Sequence, residues 1–288
     1  MRKNKIIIIS IVAIALIIGL YTISNNSGKK AHTHQEENAM EMPSGASANP
    51  MAAVAPASFD SLLDAALLKL SPKDREKFQD FQNSLDQADL EEKVKIYEDL
   101  GQFWRNKNRR IAAHYFIKSG ELDNSERKLN FASHILSEEL HTEDDPAIRN
   151  WMSAEAIKGF KKSLEINPNN DTVKIDYALF HIDLLGQPME GIQILLEMVD
   201  KDPDNIPVNI ILGKMAIESG QLDKAIERGQ HVLRLDPKNL EGHLFLGEAY
   251  KRHNEIDKAI ETFTAAKSLL DHPEFARDID EYIESFKN

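Results

Sequence analysis

Asn167-Pro168-Asn169-Asn170, Asp202-Pro203-Asp204-Asn205 and Asp236-Pro237-Lys238-Asn239 are one turn written three times. Their prolines stand 35 and 34 residues apart. The residue before a proline avoids the helical region, so each turn stops the helix ahead of it. A period of this length predicts a solenoid, in which each unit buries its apolar face only against its neighbours.

Working outward from these turns, blocks at 171–205, 206–239 and 240–273 are the regular repeats. Upstream, 94–127 reads as a first repeat, with Leu100-Gly101-x-x-Trp104 on one helix and Ala112-Ala113 with Tyr115, Phe116 and Ile117 on the next. Residues 125–170 read as a second, lengthened repeat. Phe131-Ala132-x-x-Ile135 lies on its first helix and Ala156-x-x-x-Phe160 on its second. The extra residues fall around His141-Thr142-Glu143-Asp144-Asp145-Pro146 and extend the following helix through Trp151. The array therefore occupies 91–288. It is preceded by capping helices at 58–90, where Phe59, Leu62, Leu63, Ala66, Leu67 and Leu70 follow one helical face, and it ends in a capping helix at 274–288. Repeat 171–205 carries one extra residue, placed in the turn Leu185-Gly186-Gln187-Pro188.

The last full block reads Leu246-Gly247-x-x-Tyr250 and then Ala259-x-x-x-Phe263-x-x-Ala266. It resembles the tetratricopeptide repeat (TPR), whose helix pair carries L-G-x-x-Y, A-x-x-x-F and a closing proline at those spacings. The preceding block keeps Leu212-Gly213, Ala225 and Pro237, but has Ala216 at the aromatic position and Gly229 in place of Phe. The block before that has Tyr177-Ala178, Gly191, Leu195 and Pro203. The resemblance covers roughly 94–288 and implies an all-α fold. That fold is a right-handed TPR α-solenoid of about five helix pairs with capping helices at both ends. Gly213, Gly247, Ala225 and Ala259 are expected where the two helices of a repeat cross, since small side chains let axes approach to about 8–10 Å.

In such proteins the first helices line a concave groove for a protein or peptide. Carried onto this sequence, the groove positions are Glu98, Gln102 and Arg105, then Ser133 and Ser137. They continue with Ile175, Leu179, Ile182 and Asp183, then Ile210, Lys214, Ile217 and Glu218, then Leu244, Glu248, Lys251 and Arg252. The apolar members mark either an exposed binding groove or packing against the next repeat. The Lys/Asn pattern that clamps a C-terminal carboxylate in chaperone-cofactor TPRs is absent, with Glu98 where a Lys is needed.

At the other end, Arg2, Lys3 and Lys5 precede an apolar run at 6–23 whose 18 residues span roughly 27 Å as a helix, close to the hydrocarbon thickness of a bilayer. This predicts a single-span anchor in 1–24, with a cleaved signal peptide ending near Thr22-Ile23-Ser24 as the alternative. The charge bias puts the N-terminus in the cytoplasm and the body outside a bacterial inner membrane. Residues 25–57 read as a disordered tether with an r.m.s. span of roughly 30 Å. The whole then looks like the single-span periplasmic TPR scaffolds of bacteria.

Net charge is −12, and beyond residue 30 the chain carries 47 acidic against 30 basic residues. That field disfavours nucleic acid; an acidic partner needs a local basic patch. With no cysteine, thiol catalysis, thiolate metal sites and disulfides are excluded. His32, His34, Met40, Met42 and Met51 in the tether are residue types that can take copper, but no fixed geometry is implied, and a polar linker that happens to contain them is the preferred reading. Glu138-x-x-His141 has metal-ligand spacing but lacks the second motif a di-iron bundle requires. No phosphate loop, HExxH or G-x-S-x-G occurs. The expected function is a non-enzymatic scaffold without cofactor, holding a protein or peptide. A self-assembling envelope component is the alternative.

Overall fold

The prolines of the three turns place their backbones almost identically. Asn167, Asp202 and Asp236 have φ of −131, −134 and −135° and ψ of 86, 88 and 90°, the extended geometry that a following proline imposes. The closing asparagine of each turn has a second use. The side chains of Asn170, Asn205 and Asn239 accept from the backbone N–H of Val173, Val208 and Gly242 at 3.1, 3.2 and 2.8 Å. One four-residue turn thus ends a helix and caps the next. A side-chain cap of this kind is worth about 1 kcal/mol.

The computed structural model describes residues 54–287, and among them are thirteen α-helices and no strand. They are α1 (Phe59–Leu67), α2 (Pro72–Leu85), α3 (Leu90–Trp104), α4 (Arg109–Leu122), α5 (Glu126–Leu140), α6 (Pro146–Ile166) and α7 (Asp171–Leu179). After a π-helical turn at Phe180–Leu184 come α8 (Pro188–Lys201), α9 (Ile206–Glu218), α10 (Leu222–Leu235), α11 (Leu240–Arg252), α12 (Ile256–Ser268) and α13 (Pro273–Glu284). From α3 to α12 the helices pair in sequence, and each pair packs on the next. Among the described residues no helix is long and apolar enough to cross a membrane. The apolar run 6–23, the tether through residue 53, and its His32, His34, Met40, Met42 and Met51 lie outside the described residues.

The core follows this one-dimensional order. A large cluster runs from Ala66 to Phe180; smaller ones run from Ala178 to Leu212, from Ile210 to Ala249 and from Leu246 to Ile283. Small residues set the helix crossings. A Cβ added to Gly101 would lie 2.5 Å from the ring of Phe116, and one on Gly247 would lie 2.9 Å from that of Phe263, both within one repeat. Gly213 differs from expectation. Its close neighbour is Phe245 on α11, at 2.7 Å, so it seats the next repeat rather than its own partner helix. Gly229 meets Leu246 at 2.9 Å, so the side chain missing from its own repeat is replaced by one from the next.

The extra residue of the third repeat sits in the helix, not in the turn. In the last two repeats the inner turn closes with an N–H reaching five residues back, Gln221 to Ala216 at 2.8 Å and Glu255 to Tyr250 at 2.9 Å. In the third, Gln187 reaches six back, to His181 at 2.9 Å. The π turn absorbs the insertion, and the turn itself keeps its left-handed residue, Gly186 at φ 62°, as Gly220 and Asn254 do at 74 and 66°.

The lengthened second repeat spends its additional residues on α6, 21 residues long. Its first turns hold the N-terminal segment. Ala57 N–H donates to the Ala147 carbonyl at 2.9 Å, and the Asn150 amide donates to the Val54 carbonyl at 2.7 Å. Phe59 on α1 stacks on buried His114 at 3.7 Å between ring centroids and lies 6.1 Å from Trp151. His114 is fixed from its other side by Glu155, 2.9 Å from Nδ1. Burial works against ionisation of Glu155, but the hydrogen bond and charge of His114 outweigh it and hold that carboxyl low.

Candidate binding surface

The face formed by the first helices α3, α5, α7, α9 and α11 is built from what remains after the crossings are filled. In the first repeat Gln102 and Arg105 are exposed, and the Arg105 guanidinium lies 6.0 Å from the ring centroid of Phe131, itself 42% exposed. Glu98 is tied back by Lys128 at 3.0 Å.

In the second repeat the register moves by one residue from the expected one. Ser133 is fully buried, and its Oγ would lie 2.2 Å from a Cβ on Gly159, so Ser133 is the small crossing residue and not a groove residue. Its hydroxyl donates to the Leu129 and Ala156 carbonyls at 3.0 and 3.1 Å. His134 takes the surface position instead, bonded to Asp176 of α7 at 2.8 Å. That hydrogen bond, helped by the charges of Asp176 and Glu138 and opposed by partial burial, raises the His134 pKa. Ser137 donates to the Ser133 carbonyl at 2.9 Å.

In the third repeat Ile175, Leu179 and Ile182 are half-buried, and Asp183 is exposed. Ile175 and Ile182 pack on the cluster around Leu195. In the fourth, two expected groove residues are core. Ile210 and Ile217 are 5% and 6% exposed and pack with Phe245 and Ala249, because the next repeat covers that stripe of α9. Lys214 is half-buried and paired to Glu241, while Glu218 is exposed.

At the last repeat the C-terminal helix occupies the face. Leu244 remains half-buried and Arg252 exposed, but Glu248 is buried at 8%. It accepts from the Tyr282 hydroxyl of α13 at 2.5 Å, from Arg252 Nε at 2.7 Å and from Lys251 Nζ at 3.3 Å. Glu248 is thus a latch for α13 rather than a contact for a partner. Burial would raise its pKa, yet the hydrogen bonds from Tyr282 and Arg252 and the charges of Lys251 and Arg252 win, and the net shift is downward. Burial, followed by the neighbouring Glu248 charge, pushes the Tyr282 hydroxyl up.

A pH dependence follows from the sign of the Glu248 shift. A carboxyl depressed in the folded state stabilises fully above its unfolded pKa, about 4.3, and the contribution fades as pH falls through the folded value. Hydrogen exchange in 273–284 should therefore accelerate between about pH 5 and pH 3 relative to α9, using the same reference value. Glu248→Gln should flatten that response. Tyr282→Phe, which removes a hydrogen bond to a charged group, should lower protection at neutral pH by about 1.5–3 kcal/mol. An α13 equally protected in all three proteins would exclude the latch.

No group of three or more His, Cys, Asp or Glu that could hold a metal forms among the described residues. Glu138 pairs with Arg109. The repeat geometry, the capped turns and the small-residue crossings now stand together. Residues 216–277 match the tetratricopeptide repeat family. The matched tetratricopeptide segment begins at Ala216 on α9 and reaches the start of α13. No curated relative matches the chain. Among solved structures, MamA from residue 41 onward of Desulfovibrio magneticus RS-1 is 22% identical, with 62% of this chain and 94% of that one covered and a TM-score of 0.46. YrrB, described as a TPR protein with an unusual peptide-binding site, is 18% identical, with 70% and 97% covered and a TM-score of 0.45. The Cut9–Hcn1 complex is 16% identical, with 74% and 39% covered and a TM-score of 0.45.

Proposed function

We propose that the protein is a membrane-tethered scaffold that holds a protein or peptide on the surface of its first helices. The carrying observation is that Leu179 on α7 and Leu244 on α11 stay partly exposed while Ile210 and Ile217 between them are consumed by packing. Two apolar footholds then flank a polar stretch, with Gln102, Arg105 and His134 on the N-terminal side. The tetratricopeptide match over 216–277 supports a binding rather than a catalytic role. The apolar run 6–23, with its basic N-terminal flank, supports anchoring in a bacterial inner membrane, the N-terminus inside and the helical body outside.

Photocrosslinkers placed at 179 and 244 in cells should capture one protein in common, and one at exposed Lys161 on α6 should not. Leu179→Asp with Leu244→Asp should reduce that capture at least tenfold with helical circular dichroism unchanged. Ile210→Asp is unsuitable, since burying a carboxylate there would unfold the repeat. Equal capture at all three positions would overturn the binding face. Protease added to spheroplasts should digest the body; its survival until lysis would overturn the topology.

A further inference from the structure

Among the described residues the acidic chain carries a basic concavity large enough to admit a ligand. A cleft of about 780 Å³ opens between the α1–α2 turn and the α3–α4 turn, edged by Lys69, Arg105, Lys107, Arg109 and Arg110 and floored by Trp104 with Ala66 and Leu70. Only Asp74 and Glu139 bring carboxylates to its lining. Volumes of about 300–1,000 Å³ are usual for ligand sites.

Three of the cations are held in place by carboxylates. Lys107 lies 3.5 Å from Asp74, Arg109 pairs with Glu138 and Glu139, and Arg110 pairs with Glu143. Lys69 and Arg105 make no ion pair among the described residues, and both are exposed. Two further features disfavour a purely structural origin. Trp104 is 1% exposed, and its indole N–H has no acceptor, although a buried donor without a partner costs about 1–3 kcal/mol. Helix α4 begins Arg109-Arg110 and has no acid in its first turn, so two cations sit at the positive end of the helix dipole. A bound anion would offset the second of these.

We propose that this cleft is the docking site for an acidic segment of the scaffolded peptide, its carboxylates meeting Lys69 and Arg105 and an adjacent apolar side chain resting on Ala66 and Leu70. The inference rests on the scaffold reading for the ligand being a peptide. Arg105 joins the two, because it edges the cleft and lies on the first-helix face. Charge also selects against long polyanions. A short acidic segment meets only the local cations, whereas a nucleic acid or an anionic bilayer would meet the acidic body as well.

The test uses the full chain and a ten-residue peptide alternating Glu with Leu, read by tryptophan emission. The peptide should change emission, and Trp104→Phe should abolish that change while Trp151 still emits. Lys69→Glu with Arg105→Glu should weaken binding at least tenfold with helicity unchanged, and raising salt from 50 to 200 mM should weaken it in the wild type. A Gln–Leu peptide binding equally well would overturn the proposal, as would undiminished binding by the double variant. Full competition by inorganic phosphate or by phosphatidylserine vesicles would reassign the cleft to phosphate groups and likewise overturn it. No peptide binding by the wild type with crosslinking at 179 intact would remove this inference alone; absence of crosslinking in the wild type would remove the scaffold reading first.

Discussion

Trp151→Ala is expected to detach the N-terminal helix and to cost about 3–5 kcal/mol, the usual loss for a buried Trp reduced to Ala. The reason is geometric. Trp151 is 7% exposed on the part of α6 that exists only because the second repeat is lengthened. Its ring lies 6.1 Å from Phe59 and 6.3 Å from His114, between α1 and α4. Removing it leaves Phe59 against an empty space and weakens the two hydrogen-bond ties, one to the Ala147 carbonyl and one from the Asn150 side chain. Urea denaturation should show a lower midpoint, and hydrogen exchange should show residues 54–67 opening while α9 to α12 keep their protection. A variant that loses stability uniformly, with 54–67 still protected, would show that α1 does not depend on the extension.

Gly191→Leu is the second large expectation, about 3 kcal/mol of destabilisation, the upper end of the usual overpacking range. A Cβ at this position would lie 2.3 Å from the Ala178 carbonyl oxygen and 2.6 Å from Ile182 Cγ1. The first contact is backbone, and it belongs to the helix that runs into the π turn, so it cannot yield by a rotamer change. Gly247→Leu meets only the edge of the Phe263 ring and should cost less, within about 1–3 kcal/mol. The helix-propensity gain on replacing Gly, less than about 1 kcal/mol, offsets part of each loss. Thermal melts of the two variants should rank them in this order. The reverse order would mean that α7 shifts more readily than Phe263 turns.

How much of this was legible depends on how local each signal is. The Asp/Asn-Pro turns were, because proline fixes the backbone of its predecessor whatever surrounds it. The second use of Asn170, Asn205 and Asn239 as caps was present in the same letters, since Asn is a favoured N-cap. The register of the second repeat was not, because Phe131-Ala132 imitates a large–small pair whereas the residue at the crossing is Ser133, polar by type and buried by position. Periodicity identified Ile210 and Ile217 as one stripe but could not say that the next repeat lies on it. The basic cleft left a trace, four cations in the six residues from Arg105 to Arg110. What hid it was distance along the chain, since Lys69, Asp74 and Glu139 join those cations only after folding.

The uneven core has a mechanical consequence. From Ala66 to Phe180 one continuous cluster draws on seven helices and reaches the π turn, while the remainder is held by three smaller ones, each shared by neighbouring helices. Under tension from its far end the array would not give way as a block. It would unzip from α13 inward, one modest step at a time, until it met the π turn, beyond which a single stiff root resists the pull.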